Sequence, residues 1–137
     1  MKVEPYLFFN GRCEEAIAFY KQALGAEVTY QARYSECPEP MPAGSVPPGF
    51  DNKIMHANLR VGNVQLMVSD GNSNAPAQFK GFSLSLEVSD ATQAQRFFAA
   101  LGQGGKVTMP IGKTFFSPCF GMVEDQFGVG WMVFMAP

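Results

Sequence analysis

Charge is scarce in this chain. Asp, Glu, Lys and Arg make up 16% of its 137 residues, and the formal balance is −2. That leaves no basic footprint for nucleic acid, so nucleic-acid binding is not expected. Histidine and tryptophan occur once each, at His56 and Trp131. Cysteine occurs three times, as Cys13, Cys37 and Cys119, an odd set without CxxC spacing. Such a set reads as reduced thiols in a cytoplasmic protein. No run of about 18 apolar residues exists, so no membrane span is expected. The opening Met1-Lys-Val-Glu-Pro5 has no signal-peptide apolar stretch. Gly112-Lys113-Thr114 lacks the upstream glycine and the following helix of a phosphate-binding P-loop.

What the chain does have is bulk. It is 47% hydrophobic, with thirteen Phe and eight Met. Its length fits one domain over 1–137 with a sizeable core. It also has a repeat. Ala23-Leu-Gly-Ala-Glu-Val-Thr29 returns as Ala100-Leu-Gly-Gln-Gly-Gly-Lys-Val-Thr108. Each copy closes a helix with Leu-Gly and opens a strand with Val-Thr.

In order, Tyr6–Phe9 reads as a buried strand ended by Asn10-Gly11. Cys13–Leu24 reads as a helix, with Ala16, Ile17, Tyr20, Ala23 and Leu24 at helical spacing. Glu14 and Glu15 suit its first turn, and Gly25 suits the position after its end. Val28–Tyr34 is a strand. Residues 36–52 hold five prolines and two glycines and form a long loop, a lid or a mobile segment. Ile54–Val61 and Val64–Val68 make a hairpin across Gly62-Asn63. Residues 70–80 form a linker. In the second half, Phe82–Val88 is a strand. Ser89 or Asp90 caps a helix over Ala91–Leu101. Lys106–Met109 is a strand ended by Pro110. Phe120–Glu124 and Gly130–Met135 form the last hairpin. The expected fold is therefore α+β: two βαβββ units, over 1–70 and 81–137, giving a mixed sheet of about eight strands with helices on its outer face.

Strand alternation sorts the side chains. The helix-covered face is expected to hold Tyr6, Phe8, Met55, Ala57, Leu59, Val61, Leu66, Val68, Phe82, Leu84, Leu86, Val88, Trp131 and Val133. Burying about ten of these, at roughly 1.5–3 kcal/mol each, would be the main folding contribution. The other face would hold Leu7, Phe9, His56, Asn58, Arg60, Gln65, Met67, Ser69, Ser83, Ser85, Glu87, Met132 and Phe134. Polar groups set among aromatic and Met side chains are the lining of a small-molecule pocket. The plainer reading is a solvated sheet face. Phe9, Met67, Met132 and Phe134 stand against it.

At these residues the chain resembles the vicinal oxygen chelate superfamily of glyoxalase I, bleomycin-resistance proteins and extradiol dioxygenases. Pro5-Tyr-Leu-Phe-Phe-Asn-Gly11, Ala16-Ile-Ala-Phe-Tyr20, Ile54-Met-His-Ala57 and Val123-Glu-Asp-Gln-Phe-Gly128 are similar to its PhnB-like branch. Members of that branch have carried a demethylubiquinone methyltransferase label. The chain has no glycine-rich strand-to-helix loop for S-adenosylmethionine, so that activity is not carried over. The resemblance implies a U-shaped sheet and a homodimer that completes the pocket. It also implies four divalent-metal positions, which fall on Pro5, Met67, Ser83 and Met132. Proline offers no side-chain donor, and thioethers suit copper(I) better than hard divalent ions. No metal and no cofactor are therefore expected.

His56, pointing at the open face, is a candidate base, ligand donor or member of a relocated metal site. With Glu87 on the same face it could make an acid–base pair. The plainer reading has His56 satisfied by Glu87 or a backbone carbonyl. Arg60 could clamp an anion, or pair with Asp51, Glu87 or Glu124. Cys37 and Cys119 read as inert thiols rather than nucleophiles. Trp131 belongs to the core, and Phe115-Phe116 to a pocket rim or dimer contact. The sequence thus points to a small-molecule-binding protein whose ligand meets Phe9, His56, Asn58, Arg60, Gln65, Met67, Ser83, Ser85 and Met132. A metal-dependent lyase, isomerase or dioxygenase built around His56 is the alternative, and a purely structural role is a third.

Overall fold

The helix of the first half is held at its start by a residue from far along the chain. In the computed structural model, which describes residues 1–39 and 41–137, α1 runs Cys13–Leu24. Pro40, one of the five loop prolines, lies outside the described residues. The residue flanking α1, Arg12, provides no side-chain cap. Buried Asp70 replaces it. Its Oδ1 accepts from the N–H groups of Gly11 at 2.7 Å and Cys13 at 2.8 Å, and its Oδ2 from Ile54 N–H at 2.9 Å. A carboxylate there satisfies orphan amides and complements the helix dipole. At the other end Gly25 takes φ +69°, and Ala26 N–H donates to Tyr20 O at 3.2 Å, the expected left-handed stop. Cys13, Ala16, Ile17 and Tyr20 form the buried stripe of α1.

The chain divides into two compact units, Met1–Ala77 and Gln78–Pro137. The first contains β1 (Tyr6–Phe8), α1, β2 (Glu27–Arg33), β3 (Ile54–Val61) and β4 (Val64–Ser69). The second contains β5 (Leu84–Val88), α2 (Ala91–Gly102), β6 (Lys106–Gly112), β7 (Cys119–Glu124) and β8 (Gly130–Met135). The eight strands fall into two open four-stranded mixed sheets, ordered β1-β4-β3-β2 and β5-β8-β7-β6. In each, the first strand pairs in parallel with the last, and the other pairings are antiparallel. This is the α+β architecture read from the sequence, with a few strand ends shifted. Gly62 opens the β3–β4 hairpin at φ +59°, the sign a glycine-first two-residue turn requires. Asp90 caps α2, its Oδ1 accepting from Gln93 N–H at 2.7 Å.

Several expectations need correction. In β1 the covered residues are Leu7 and Phe9, while Tyr6 and Phe8 are exposed. The parallel register explains it: Leu7 lies beside buried Val68, and Tyr6 beside Met67. Phe9 therefore belongs to the core, 6.3 Å from Tyr20 between ring centroids, and not to the open face. Phe82 precedes β5 and is exposed. Met55 is half-buried because an extra residue in β3 interrupts pairing between Ala32 and Arg33 of β2. Pro110 does not end β6. The strand continues to Gly112, with a register shift between Met109 and Gly112. β6 is the outermost strand of its sheet, where a missing N–H is tolerated.

Elsewhere Val61, Leu84 and Leu86 are only half-buried on the face expected to be covered, and Ser69, expected on the open face, is buried; the rest of the two cores is as expected. Ala57, Leu59, Leu66 and Val68 are buried in the first unit. In the second, Val123, Trp131 and Val133 are buried, as are Ala94, Phe98 and Leu101 of α2, which packs on β7 and β8. Gly121 is required beneath α2, since a Cβ there would stand 2.6 Å from the Phe98 ring. Buried Asp125 closes the β7–β8 turn: Oδ1 accepts from Phe127 and Val129 N–H at 2.9 and 3.0 Å, and Oδ2 from the Trp131 indole at 2.9 Å.

Candidate functional site

The face of the first sheet turned away from its core collects most of the chain's unusual chemistry. His56 and Asn58 alternate along β3 and so share that face. The parallel pairing of β1 brings Tyr6 beside Met67, and the antiparallel pairings set Asn58 beside both Met67 and Tyr30. A row Tyr6–Met67–Asn58–Tyr30 therefore crosses four strands. The Tyr6 hydroxyl lies 2.7 Å from His56 Nδ1, and His56 Nε2 lies 2.7 Å from Asn58 Oδ1. Asn58 Oδ1 can only accept, so Nε2 carries a proton. In the neutral imidazole Nδ1 then accepts, and Tyr6 donates to it. Tyr6 and Tyr30 flank the imidazole at 5.3 and 6.1 Å between centroids, and Phe8 stacks on Tyr6 at 4.8 Å. These rings remain 39% (Tyr6), 49% (Phe8) and 54% (Tyr30) exposed.

Behind this row the Ser69 hydroxyl donates to Met55 O at 2.7 Å and accepts from Gly71 N–H at 2.9 Å. The Tyr34 hydroxyl donates to Gly71 O. Burial raises both the Tyr6 and the Tyr34 phenol above the ordinary value of 10.0, with the Ser69 hydroxyl pulling the other way. Both stay protonated at neutral pH. A folded value above the unfolded one means stability that is complete below pH 10.0 and lost as pH rises through the folded value. Replacing both tyrosines by Phe is expected to flatten that alkaline loss. Thermal unfolding followed from about pH 8 to about pH 11 checks it, and parallel curves for the two proteins would count against it.

The remaining residues of the expected site are distributed as follows. Arg60 pairs with Glu27, its register partner on β2, rather than with Asp51, Glu87 or Glu124. Gln65 donates to Glu4 at 3.1 Å. Met67 sits in the row just described. Ser83 stands exposed before β5, and Ser85 and Glu87 are exposed on β5 in the second unit. Met132 is half-buried on β8. His56 is satisfied by Tyr6 and Asn58, two side chains, where the sequence pointed to Glu87 or a carbonyl. Cys13 is held as a thiol, mainly by burial and then by the nearby Asp70 carboxylate. A half-open hollow of about 410 Å³ is bordered by Tyr34, Cys37, Met41, Pro47 and Asp51.

Register also aligns the two units. Ser85 and Met122 flank Met132 as Tyr6 and Asn58 flank Met67, and Met109 beside Met122 answers Tyr30 beside Asn58. The second row is thus Ser85–Met132–Met122–Met109. Phe120, two residues from Met122, stands where His56 stands, and it is buried. One unit carries the hydrogen-bonding row and the other a methionine row, soft and adaptable in shape. Tyr6 and Tyr30 were missed as site residues. A tyrosine in an apolar strand, with Leu available for the core, favours the face that keeps its hydroxyl wet.

The resemblance assigns the superfamily's metal positions to Pro5, Met67, Ser83 and Met132. That donor set does not fit a hard divalent cation. Among the described residues no three His, Cys, Asp or Glu side chains gather as a metal cluster. No described helix is long and apolar enough to cross a membrane.

A family model described as 3-demethylubiquinone-9 3-methyltransferase matches residues 1–134. Protein YjdN of Escherichia coli is 38% identical, over 97% of this chain and 94% of its own length. The crystal structure of protein PA1353 from Pseudomonas aeruginosa is 42% identical with a TM-score of 0.86, covering 99% of this chain and 98% of its own. A PhnB protein from Bacillus cereus, described with the same methyltransferase wording, is 28% identical at a TM-score of 0.82, over 99% and 100% of the two chains. The fold alone is shared with a glyoxylase/bleomycin resistance protein/dioxygenase domain from Frankia, at 13% identity and a TM-score of 0.69, over 98% and 94% of the two chains. The chain therefore belongs to the family described as 3-demethylubiquinone-9 3-methyltransferase, the PhnB-like family, and has the fold of the vicinal oxygen chelate proteins.

Proposed function

We propose that this protein binds a small organic molecule on the open face of its first sheet, without a divalent metal, and holds it rather than transforms it. The observation that carries the reading is the linked Tyr6–His56–Asn58 chain, set among exposed rings that are poor neighbours for water. Both nitrogens of His56 are engaged, so it is not poised to take a substrate proton. The Tyr6 phenol, raised by burial, is no ready base. Methyl transfer gains no support at the helix starts. At the start of α1 the Gly11 and Cys13 amides already donate to Asp70, and at the start of α2 the Gln93 amide donates to Asp90.

A metal-assisted lyase, isomerase or dioxygenase centred on His56, with Glu87 as its partner, is the second reading. A homodimer in the cytoplasm remains part of the proposal. The test is a fragment titration followed by backbone amide shifts. Fragments that bind should move amides of β1, β3 and β4, and His56→Ala should weaken them by about tenfold, because Tyr6 and Asn58 lose the imidazole that orients them. Unchanged affinity in that variant would remove His56 from the site. Shifts confined to other strands would remove the site itself.

A further inference from the structure

We infer that the molecule held on this face is planar and uncharged, with a hydrogen-bond acceptor at one end and a donor at the other. The inference rests on reading the Tyr6–His56–Asn58 face as the binding site. The hydrogen-bond chain fixes which groups are left to offer. Asn58 Oδ1 is taken by His56 Nε2–H, so its Nδ2 amide hydrogens remain to donate to a ligand. The Tyr6 hydrogen is directed to His56 Nδ1 and the Ser69 hydroxyl stands against its oxygen, so one lone pair remains to accept from a ligand. The imidazole stands between these two groups and separates the two offers. An acceptor and a donor on one small ligand must be separated to match.

Charge on this face cancels locally. Arg60 pairs with Glu27, and Lys2 lies 3.2 Å from Glu4, which also receives Gln65. Among the described residues, the two cations named here both already face a carboxylate. An anion brought here loses water without a counter-charge, which is unfavourable. The surrounding side chains are flat: Phe8 stacked on Tyr6 at 15° between planes, with Tyr30 on the far side of the imidazole. Rings of this kind receive another ring by offset or edge-on contact.

The test compares two probes of nearly equal shape on isotope-labelled, unaltered protein: para-(hydroxymethyl)benzamide and para-(hydroxymethyl)benzoate. Amide shifts of Tyr6, Tyr30, His56 and Asn58 give the affinities. The neutral amide should bind about tenfold more tightly than the carboxylate, because only it escapes the uncompensated charge. Asn58→Asp, which keeps an acceptor for His56 Nε2–H but removes the donor, should weaken the amide by a similar factor. Equal or tighter binding of the benzoate at the same amides would overturn the uncharged class while leaving the site standing. If neither probe moves those amides, the site reading falls and this inference with it. The ratio on the unaltered protein decides the matter even if Asn58→Asp fails to fold.

Discussion

Replacing Asp70 by alanine is expected to remove about 3–5 kcal/mol of folding stability, the range for stripping a buried charged acceptor from its donors. The side chain is fully buried and accepts from three backbone amides, those of Gly11, Cys13 and Ile54. Alanine would leave all three without this partner, with those of Cys13 and Ile54 in buried positions. The bonds to Gly11 and Cys13 reach across 59 and 57 residues, so the damage extends beyond a local turn. The start of α1 loses the Asp70 cap, and the start of β3 loses the tie that sets it against α1. Urea unfolding should show a lower midpoint with an unchanged slope. Hydrogen exchange should quicken together at Gly11, Cys13 and Ile54. Asp70→Asn keeps one good acceptor and should lose less. A loss under about 1 kcal/mol in the alanine variant would mean that water or a neighbouring side chain replaces the carboxylate.

The second large effect is expected at Asp125. It too is buried and accepts three hydrogen bonds, but its partners lie two, four and six residues away. Asp125→Ala should lower stability by about 2–4 kcal/mol, slightly less than Asp70→Ala because a short turn relaxes more easily. Its signature is separate. The Trp131 indole N–H loses its acceptor, so tryptophan emission should shift in the native state, before any unfolding. Exchange should quicken at Phe127 and Val129 and not at α1. Native emission identical to that of the unaltered protein would show that the indole has found another acceptor.

These two carboxylates also mark the limit of what the sequence could convey. The elements were legible because their signals are local: helical spacing in Cys13–Leu24, Gly25 at its end, Gly62-Asn63 in the hairpin. Asp70 looked like the first residue of a polar linker, because its three donors lie far away in sequence. Asp125 sat in a recognisable turn, yet nothing in that turn announced a bond to Trp131. The candidate face was half legible. His56 and Asn58 sit two apart on a strand whose Ala57 and Leu59 plainly belong inside. Tyr6-Leu-Phe-Phe9 is apolar at every position, so alternation alone cannot say which side is buried. The register against Val68 decides it, and register is a property of the folded pair of strands. Phe9 and Tyr6 exchanged roles for that reason.

The proline carried within β6 has a consequence for the chain at high concentration. The outermost strand of an open sheet usually presents a ladder of unused amides on which another molecule can extend it, the first step of fibrillar growth. Pro110 supplies no amide, and the shifted spacing between Met109 and Gly112 breaks the regular pitch that an incoming strand would need. Exposed Val107 and Met109 would otherwise make this margin adhesive. One imino acid, unpromising as a strand residue, blunts that margin.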